Sequence, residues 1–549
     1  MNPNAPLIHS QGNLHWGILN PSAILKYHED SVCLGKLFDG EETWWKPESP
    51  APDGNYVIFR ANNDSIEVLT DLLATRTVWY YFDSQRLIVS TSQRSIIHFL
   101  ENYQPNENVY PWFLSSGTLG PGLSWDTRIQ YLQGNSALTL DRKEWKINVK
   151  THPIHFIQNH IPHSKLETFY DQTLRESVGN IKLTPQYWTM LLSGGYDSRG
   201  LCYYLPNVNQ MKGLSWGKAG SILIPDSDTV VASELASQIG MDFEFLPIKN
   251  LSDQIEELIR RFLINGEGRT DKITGYMDLF FTWKYIFESG NAGIIRGDHT
   301  FDLRSAGNSF EARYNYYLLT LRDYKDLSAT WVSEFPGQRI PDSLQQRENE
   351  SLNAWSVRLD RMFYFPFIQT ALSDLKLGYV ETVNPYINRQ LVSILGGLPA
   401  EVHLRKAVFK ELIRKKYPKV PFASSQALAT EESFANQPKV SRYILEYLQS
   451  VSGNEIFDHS MKQMLISPIQ QSARDTSHTW LYQFRRNLRK KISPQIIKSV
   501  KKPIEKARTD FALLGMRMLL IEKMSQLLQE DAVHFRKTIS DKTNYEQTV

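Results

Sequence analysis

The sequence predicts an α/β protein with a β-rich first part, a doubly wound parallel sheet carrying helices on both faces, and a helical C-terminal extension. Three observations support this. Short β-type runs between turn residues fill positions 1 to about 150, and from about 165 helical segments alternate with brief apolar runs. At Leu191-Leu192-Ser193-Gly194-Gly195-Tyr196-Asp197-Ser198-Arg199-Gly200 an apolar run enters a glycine turn and then a helical pattern. Alternating strand and helix patterns are the mark of a parallel sheet covered on both sides.

In the first part, runs at 56–60, 66–69, 78–82, 87–90 and 136–140 are rich in β-branched and aromatic residues, which suit a pleated, half-buried surface. Turn residues bound them at Asp53-Gly54, Asn62-Asn63-Asp64, Asp83-Ser84 and Gly134-Asn135. The second part reads as a helix over 168–178, a strand from Tyr187 into the glycine turn, a strand over 210–217, a helix over 227–239 and a strand at 243–247. Beyond about 300 the pattern is mostly helical, with no internal repeat. Domain limits of 1–150, 165–425 and 426–549 follow.

The glycine turn carries the chemistry. Glycines let the backbone approach an anion, and the unpaired N–H groups at a helix N-terminus, at the positive end of its dipole, stabilise phosphate. Ser193 and Ser198 add hydroxyls around Gly194 and Gly195, and Asp197, the one acid in the loop, can hold the magnesium that accompanies a nucleotide. Ser-Gly-Gly also makes ordinary turns, and Asp-Ser is a common helix cap. In open parallel sheets ligands bind at the carboxyl ends of the strands, where this turn is expected.

Composition narrows the class. The 61 basic and 59 acidic residues leave a net charge of +2, so no global field draws the chain to nucleic acid. Cys33 and Cys202 are the only cysteines, too few for a disulfide framework or a multi-cysteine zinc site, and both read as buried small apolar residues. The first residues lack a basic region followed by an apolar core, and no stretch has the length of a transmembrane segment, so the expectation is a cytoplasmic protein.

Ser-Gly-Gly-x-Asp-Ser resembles the pyrophosphate loop of the PP-loop ATP pyrophosphatases, and it differs from a P-loop in lacking the Gly-Lys-Ser/Thr ending. The order of parts is similar to the asparagine synthetase family, over roughly residues 50 to 425. In the first part, Gly54-Asn55-Tyr56, Asp71, Val78-Trp79-Tyr80-Tyr81, Ser90-Thr91-Ser92 and Tyr131-Leu132-Gln133-Gly134 follow that family's amidotransferase run in order. In the second, Asp228 with Ala232 and Leu235-Ala236 resembles its helix beside the adenine site, and Gly293-Ile294-Ile295-Arg296-Gly297-Asp298 its acidic magnesium and pyrophosphate loop. His299, Thr300 and Phe301 interrupt that loop, so the metal acid is Asp298 or Asp302, and Gly-Asp is also an ordinary turn pair. Val380-Glu381-Thr382-Val383-Asn384-Pro385-Tyr386-Ile387-Asn388 is similar to the acceptor segment, keeping the acid at Glu381 and departing at Asn384 and Asn388. Arg405-Lys406 precedes a helical stretch to Lys416. Lys419-Val420-Pro421-Phe422 parallels the family's phosphate-contacting lysine, although Lys419 after Pro418 reads equally as a solvated side chain.

The resemblance implies an Ntn-hydrolase-like β-sandwich, then a PP-loop synthetase domain that binds ATP and magnesium. Pyrophosphate would lie on Ser193, Gly194, Gly195 and Ser198, magnesium on Asp197 with Asp298 or Asp302, and Glu381 and Lys419 would be the catalytic side chains. A carboxylate, of a peptide or a small molecule, is adenylated, an amine attacks, and AMP and pyrophosphate leave. Glutamine hydrolysis needs an N-terminal thiol, position 2 is Asn2, and the Asn-Gly-Glu glutamine motif is missing, so no internal glutaminase is expected. This favours an amine already on the substrate, as in β-lactam synthetases and lasso-peptide cyclases. Ammonia, free or from a partner subunit, giving asparagine or a sugar-uronate amide, is the alternative, and an inactive scaffold subunit is another.

The tail holds Arg485, Arg486, Arg489, Lys490, Lys491, Lys498, Lys501, Lys502, Lys506 and Arg508. An acidic peptide, an anionic membrane surface or a lipid-linked phosphate would suit this run, and a solvated basic helix face is the commoner reading of such a pattern.

Overall fold

The computed structural model describes residues 7–19, 21–248, 254–298, 301–423, 434–450, 456–474 and 504–546, the side chains of 472–474 and 534–546 excepted. Strands β1 (Leu7–Gln11) and β2 (Leu14–Ile18) make a hairpin. Then come β3 (Lys26–His28), β4 (Ser31–Leu37), β5 (Gly54–Ala61), β6 (Ser65–Thr70), β7 (Val78–Phe82), β8 (Leu87–Ser90), β9 (Gln130–Leu132), β10 (Ser136–Asp141) and β11 (Lys146–Thr151). They form two antiparallel sheets, ordered β11-β10-β6-β5-β4-β3 and β8-β7-β9. All five β runs expected in this part are strands. The turn expected at 62–64 is built by Asn62, whose side-chain oxygen accepts from the N–H groups of Asp64 and Ser65. Val57, Val68 and Leu138 of the larger sheet bury against Val78, Tyr80 and Leu132 of the smaller. Two helices, Gln93–Leu100 and Val109–Ser116, follow β8 and were not anticipated.

The second part is built on a parallel sheet of β12 (Trp188–Leu191), β13 (Lys212–Lys218), β14 (Phe243–Ile248), β15 (Gly293–Ile295) and β16 (Glu381–Val383). Its order is β14-β13-β12-β15-β16, with every neighbouring pair parallel. Met190, Leu192, Ile295 and Val383 bury on one face against helices that include His163–Val178, Tyr196–Tyr204 and Ala407–Lys416. Leu214, Leu246 and Ile294 bury on the other against Ile255–Gly266 and Phe281–Glu288. Ile294 and Ile295 face opposite sides because strand side chains alternate. The expected doubly covered α/β sheet is therefore present. From β12 the chain steps outward through β13 to β14 and then returns to β15 on the far side of β12. The order of connection thus reverses between β12 and β15, the crevice that ligands of such sheets occupy.

The aromatic segment over 276–287 is interrupted. Leu279 and Phe280 take left-handed backbone angles of φ 55° and 65°, and the helix restarts at Phe281 with the Asp278 carboxylate accepting from the Thr282 N–H. The C-terminal helix Phe511–Glu546 ties the parts together. Arg94 pairs with Asp531 at 2.7 Å, and Arg517 pairs with Asp271 at 2.8 Å while donating to the Leu114 carbonyl. The basic residues Arg485, Arg486, Arg489, Lys490, Lys491, Lys498, Lys501 and Lys502 lie outside the described residues. Among those described, no helix is long and apolar enough to cross a membrane.

Candidate active site

The glycine turn leaves the carboxyl end of β12, the central strand. Ser193 and Ser198 close it across its base: the Ser193 N–H donates to Ser198 Oγ at 3.2 Å, and the two hydroxyls are 3.0 Å apart. Gly194 donates its N–H to Asp228 Oδ1 at 2.8 Å, which links the turn to the helix Asp228–Ile239. A side chain at Gly194 would meet Ala423 Cβ at 2.5 Å, so glycine is what lets residues 420–423 lie against the turn. Gly195 begins the helix Tyr196–Tyr204 without a side-chain cap. The first-turn amides of Tyr196, Asp197 and Ser198 thus present an open, electropositive end at the strand-order reversal.

The loop after β15 faces it. Gly297 packs so closely that a Cβ there would lie 3.0 Å from the Asp197 carbonyl carbon. Asp298 is held by Arg296 at 2.9 Å, and its backbone carbonyl accepts from Asn384 Nδ2 at 2.8 Å. Asn384 therefore bridges the loops after β15 and β16. Asn388 caps the helix Arg389–Gly396 by accepting from the Leu391 N–H.

Asp197 is the meeting point. Lys406 Nζ donates to its Oδ2 at 2.5 Å, the Tyr386 hydroxyl donates to its backbone carbonyl at 2.9 Å, and its Oδ1 is buried with no hydrogen-bond partner. Burial raises the Asp197 carboxyl above the usual carboxylate range. The Lys406 ammonium works against that rise, and the Asp298 and Asp302 charges add to it. Asp302 itself lines a separate small cavity with Tyr316, Asp360 and His403.

Among the described residues, no group of three or more His, Cys, Asp or Glu side chains gathers to hold a metal ion. The donor chemistry at the turn nevertheless suits magnesium, which takes one or two carboxylates and completes its shell with phosphate oxygens and water. Asp197, with its unpartnered Oδ1, and Asp298 on the facing loop are the two acids so placed.

The remaining expected residues are not gathered there. Glu381 stands at the amino end of β16, opposite Gly293, two residues short of the carboxyl end that Val383 and Ile295 share. Its carboxylate is paired with Arg76 of the first part, both side chains being largely buried. Lys419 is exposed, while the residues after it are fixed. The buried Arg199 guanidinium donates to the carbonyls of Val420 at 2.8 Å and Pro421 at 2.6 Å and lies 3.9 Å from the centre of the Phe422 ring, which stacks on Tyr196.

A narrow cleft adjoins the two loops, and Thr75, Arg296, Asp298, Thr370, Ser373 and Asn384 are among its lining residues. Its Thr75 wall comes from the first part. Asp71 accepts the N–H groups of Tyr56, Leu73 and Thr75, which sets the turn, and the Ala74 carbonyl accepts from Thr370 Oγ1 at 2.7 Å. Asn55 clamps the other side, its amide donating to the Ile387 carbonyl and its oxygen accepting the Asn384 N–H. Cys33 and Cys202 are both buried, and burial pushes each thiol up to about 12.

Sequence reasoning missed three members of this arrangement: Lys406, Arg199 and Tyr386. Arg199 lies inside the same decapeptide as the turn, directly after Ser198, where an arginine entering a buried helix needs a carbonyl-rich partner. Lys406 and Tyr386 carry no such local signal, because their partner is more than 180 residues away. Comparison of the chain with protein-family models and with curated proteins gives no match.

Proposed function

We propose that this chain is an ATP-dependent, AMP-forming carbon–nitrogen ligase of the asparagine synthetase type, built on a PP-loop synthetase core. Its first part would then be an Ntn-hydrolase-like domain without glutaminase activity. The observation that carries this reading is the intact Ser193–Ser198 turn at the carboxyl end of the central strand, beside the reversal of strand order, with Asp197 and Asp298 on the two facing loops.

In this reading the pyrophosphate end of ATP accepts hydrogen bonds from the uncapped amides of Tyr196, Asp197 and Ser198 and from the Ser193 and Ser198 hydroxyls. Asp197 and Asp298 would hold magnesium, which would supply charge stabilisation to the leaving pyrophosphate. Arg199 fixes residues 420–423 against the turn, so Lys419 can bring a further positive charge to the phosphates. The substrate carboxylate lies in the cleft beside Arg296, and its oxygen attacks the α-phosphorus as pyrophosphate leaves. An amine nitrogen then attacks the acyl carbon, AMP departs with the bonding electrons, and the amine proton passes to a base. Glu381, already paired with Arg76, serves as a positioning group for the acceptor side rather than as that base. Consumption of ATP fits a cytoplasmic location.

The amine does not come from a glutaminase within the described residues, where both thiols are buried and protonated. It is carried by the substrate, as in the ring-forming β-lactam synthetases and lasso-peptide cyclases, or arrives as ammonia. Hydroxylamine tests the reading by replacing the amine. Protein, magnesium-ATP, hydroxylamine and a source-cell extract should yield a hydroxamate, read by mass spectrometry, that Asp197→Ala abolishes. Its mass separates an amino acid, a sugar acid and a peptide. No hydroxamate together with no nucleotide binding would leave the scaffold alternative in front.

A further inference from the structure

Lys406 and Asp197 form an ion pair that a nucleotide would have to rearrange. The ammonium donates to Asp197 Oδ2 at 2.5 Å, and the lysine side chain is 11 % exposed. The backbone that delivers it is strained: Arg405 and Lys406 are consecutive non-glycine residues in the left-handed region, at φ 53° and 54°. That kink starts the helix Ala407–Lys416 and turns the Lys406 side chain back toward the first turn of Tyr196–Tyr204. Asp197 Oδ1 stays buried with no partner, and the facing acid, Asp298, is likewise held by a cation of its own chain, Arg296. Each acid suited to a divalent ion therefore already has a positive side chain against it. An Asp197 oxygen holding Lys406 is a poor ligand for a second cation, because the two positive charges repel at contact distance.

We propose that Lys406 is a shared counter-ion. It neutralises Asp197 in the ligand-free chain and passes to the pyrophosphate end of a bound nucleotide, so that a divalent ion binds Asp197 more tightly with that nucleotide than alone. The assignment rests on the nucleotide-binding reading above. It adds Lys406 to the phosphate contact that the family resemblance implies for Lys419, and it couples the two binding events through one side chain. The exchange breaks no covalent bond. One ammonium–carboxylate contact is replaced by an ammonium–phosphate contact and a metal–carboxylate contact.

The test uses the full chain, with manganese as the divalent probe and inorganic pyrophosphate as the anion, each followed by calorimetry, and with no turnover required. Lys406→Met should act in opposite directions on the two probes. Manganese alone should bind about threefold or more tighter, because Asp197 loses its competing cation. Pyrophosphate should bind about tenfold weaker, the loss expected for one charge-assisted contact. Lys406→Arg should restore pyrophosphate binding, and Lys419→Met should leave the affinity for manganese alone unchanged. Thermal melting of each variant separates a folding defect from a binding one, and the arginine variant carries the test should the methionine variant melt early. Lys406→Met shifting both affinities in the same direction, or neither, would overturn the shared role while leaving the ligase reading standing. A wild-type chain that binds neither pyrophosphate nor ATP would overturn both.

Discussion

The Tyr386 hydroxyl donates to the backbone carbonyl of Asp197 at 2.9 Å, and Gly200 makes room for that contact one turn further along the same helix. A Cβ on Gly200 would lie 2.4 Å from Tyr386 Oη and 2.8 Å from Phe409 Cζ, too close for either ring to stay in place. Gly200 is therefore fixed by packing. Its neighbours in the turn answer to different needs, Gly194 to the approach of Ala423 and Gly195 to the uncapped helix start. Gly200→Ala should destabilise the protein by about 1–3 kcal/mol, the usual cost of forcing a methyl group into a packed interior. Adding Tyr386→Phe should recover part of that loss. Chemical denaturation of both variants checks the order, and a Gly200→Ala chain as stable as wild type would mean that the helix does not seat against Tyr386.

Arg199 ties the glycine turn to the segment beyond Tyr417. Its guanidinium is buried and serves two carbonyls at once while stacking on Phe422. Arg199→Lys should fail to substitute, because a single ammonium cannot span both carbonyls in the plane of the ring. Hydrogen exchange at 420–423 should accelerate in Arg199→Lys, and nucleotide affinity should fall about tenfold, near the 1.4 kcal/mol expected when one hydrogen bond of this kind is lost. Unchanged exchange at those residues would show that Phe422 packing alone holds the segment.

The fold was legible where the signal is local. Runs of β-branched and aromatic residues gave the five strands, and the glycine turn located the central strand, because both are written within ten residues of sequence. The helix Gln93–Leu100 was not anticipated although Ser92 caps it through the Ser95 N–H. Its buried positions Gln93, Ile96, Ile97 and Leu100 follow a helical spacing, but over only eight residues, and the helix is anchored from far away: the Glu267 carboxylate accepts from the Gln93 N–H, and Arg94 pairs with Asp531. The site divides in the same way. Ser193, Gly194, Gly195, Asp197 and Ser198 were readable as a unit, and Asp298 was readable from its strand. Lys406 was not, since its contact with Asp197 depends on a left-handed kink and on a partner 209 residues away.

Glu381 and Arg76 join the first part of the chain to the edge strand of the parallel sheet, with side chains 13 % and 10 % exposed. A buried pair of this kind is costly to break on one side, about 3–5 kcal/mol, and much less costly to replace on both. Arg76→Met alone should therefore destabilise strongly, and Arg76→Met with Glu381→Met should lie closer to wild type than either single variant. The double-mutant cycle gives the coupling directly. Should the double variant also retain hydroxamate formation within about tenfold, a loss of less than about 1.4 kcal/mol, Glu381 is a positioning residue of the acceptor side; loss of activity in a stable double variant would return it to the reaction itself.

Asp360 gives the chain a pH signature separate from the glycine turn. Burial pushes its carboxyl up from 3.8 to about 7; the Arg361 and Arg304 charges oppose the rise, and Asp302 adds to it. The unfolded chain releases this proton near the ordinary value, whereas the folded chain holds it to near neutrality. Between pH 4 and 7 the native state thus binds more protons at this position, and stability must fall as pH rises through that window and level off above it. Asp360→Asn, neutral throughout, removes this loss. The stability of the variant relative to wild type should increase from pH 5 to pH 8, each unit of the rise in pKa counting for about 1.4 kcal/mol. Paired denaturation curves at the two pH values measure the change. A difference that stays constant would show that Asp360 titrates alike in both states and that the cavity it shares with Asp302 and His403 is wet enough to solvate its charge.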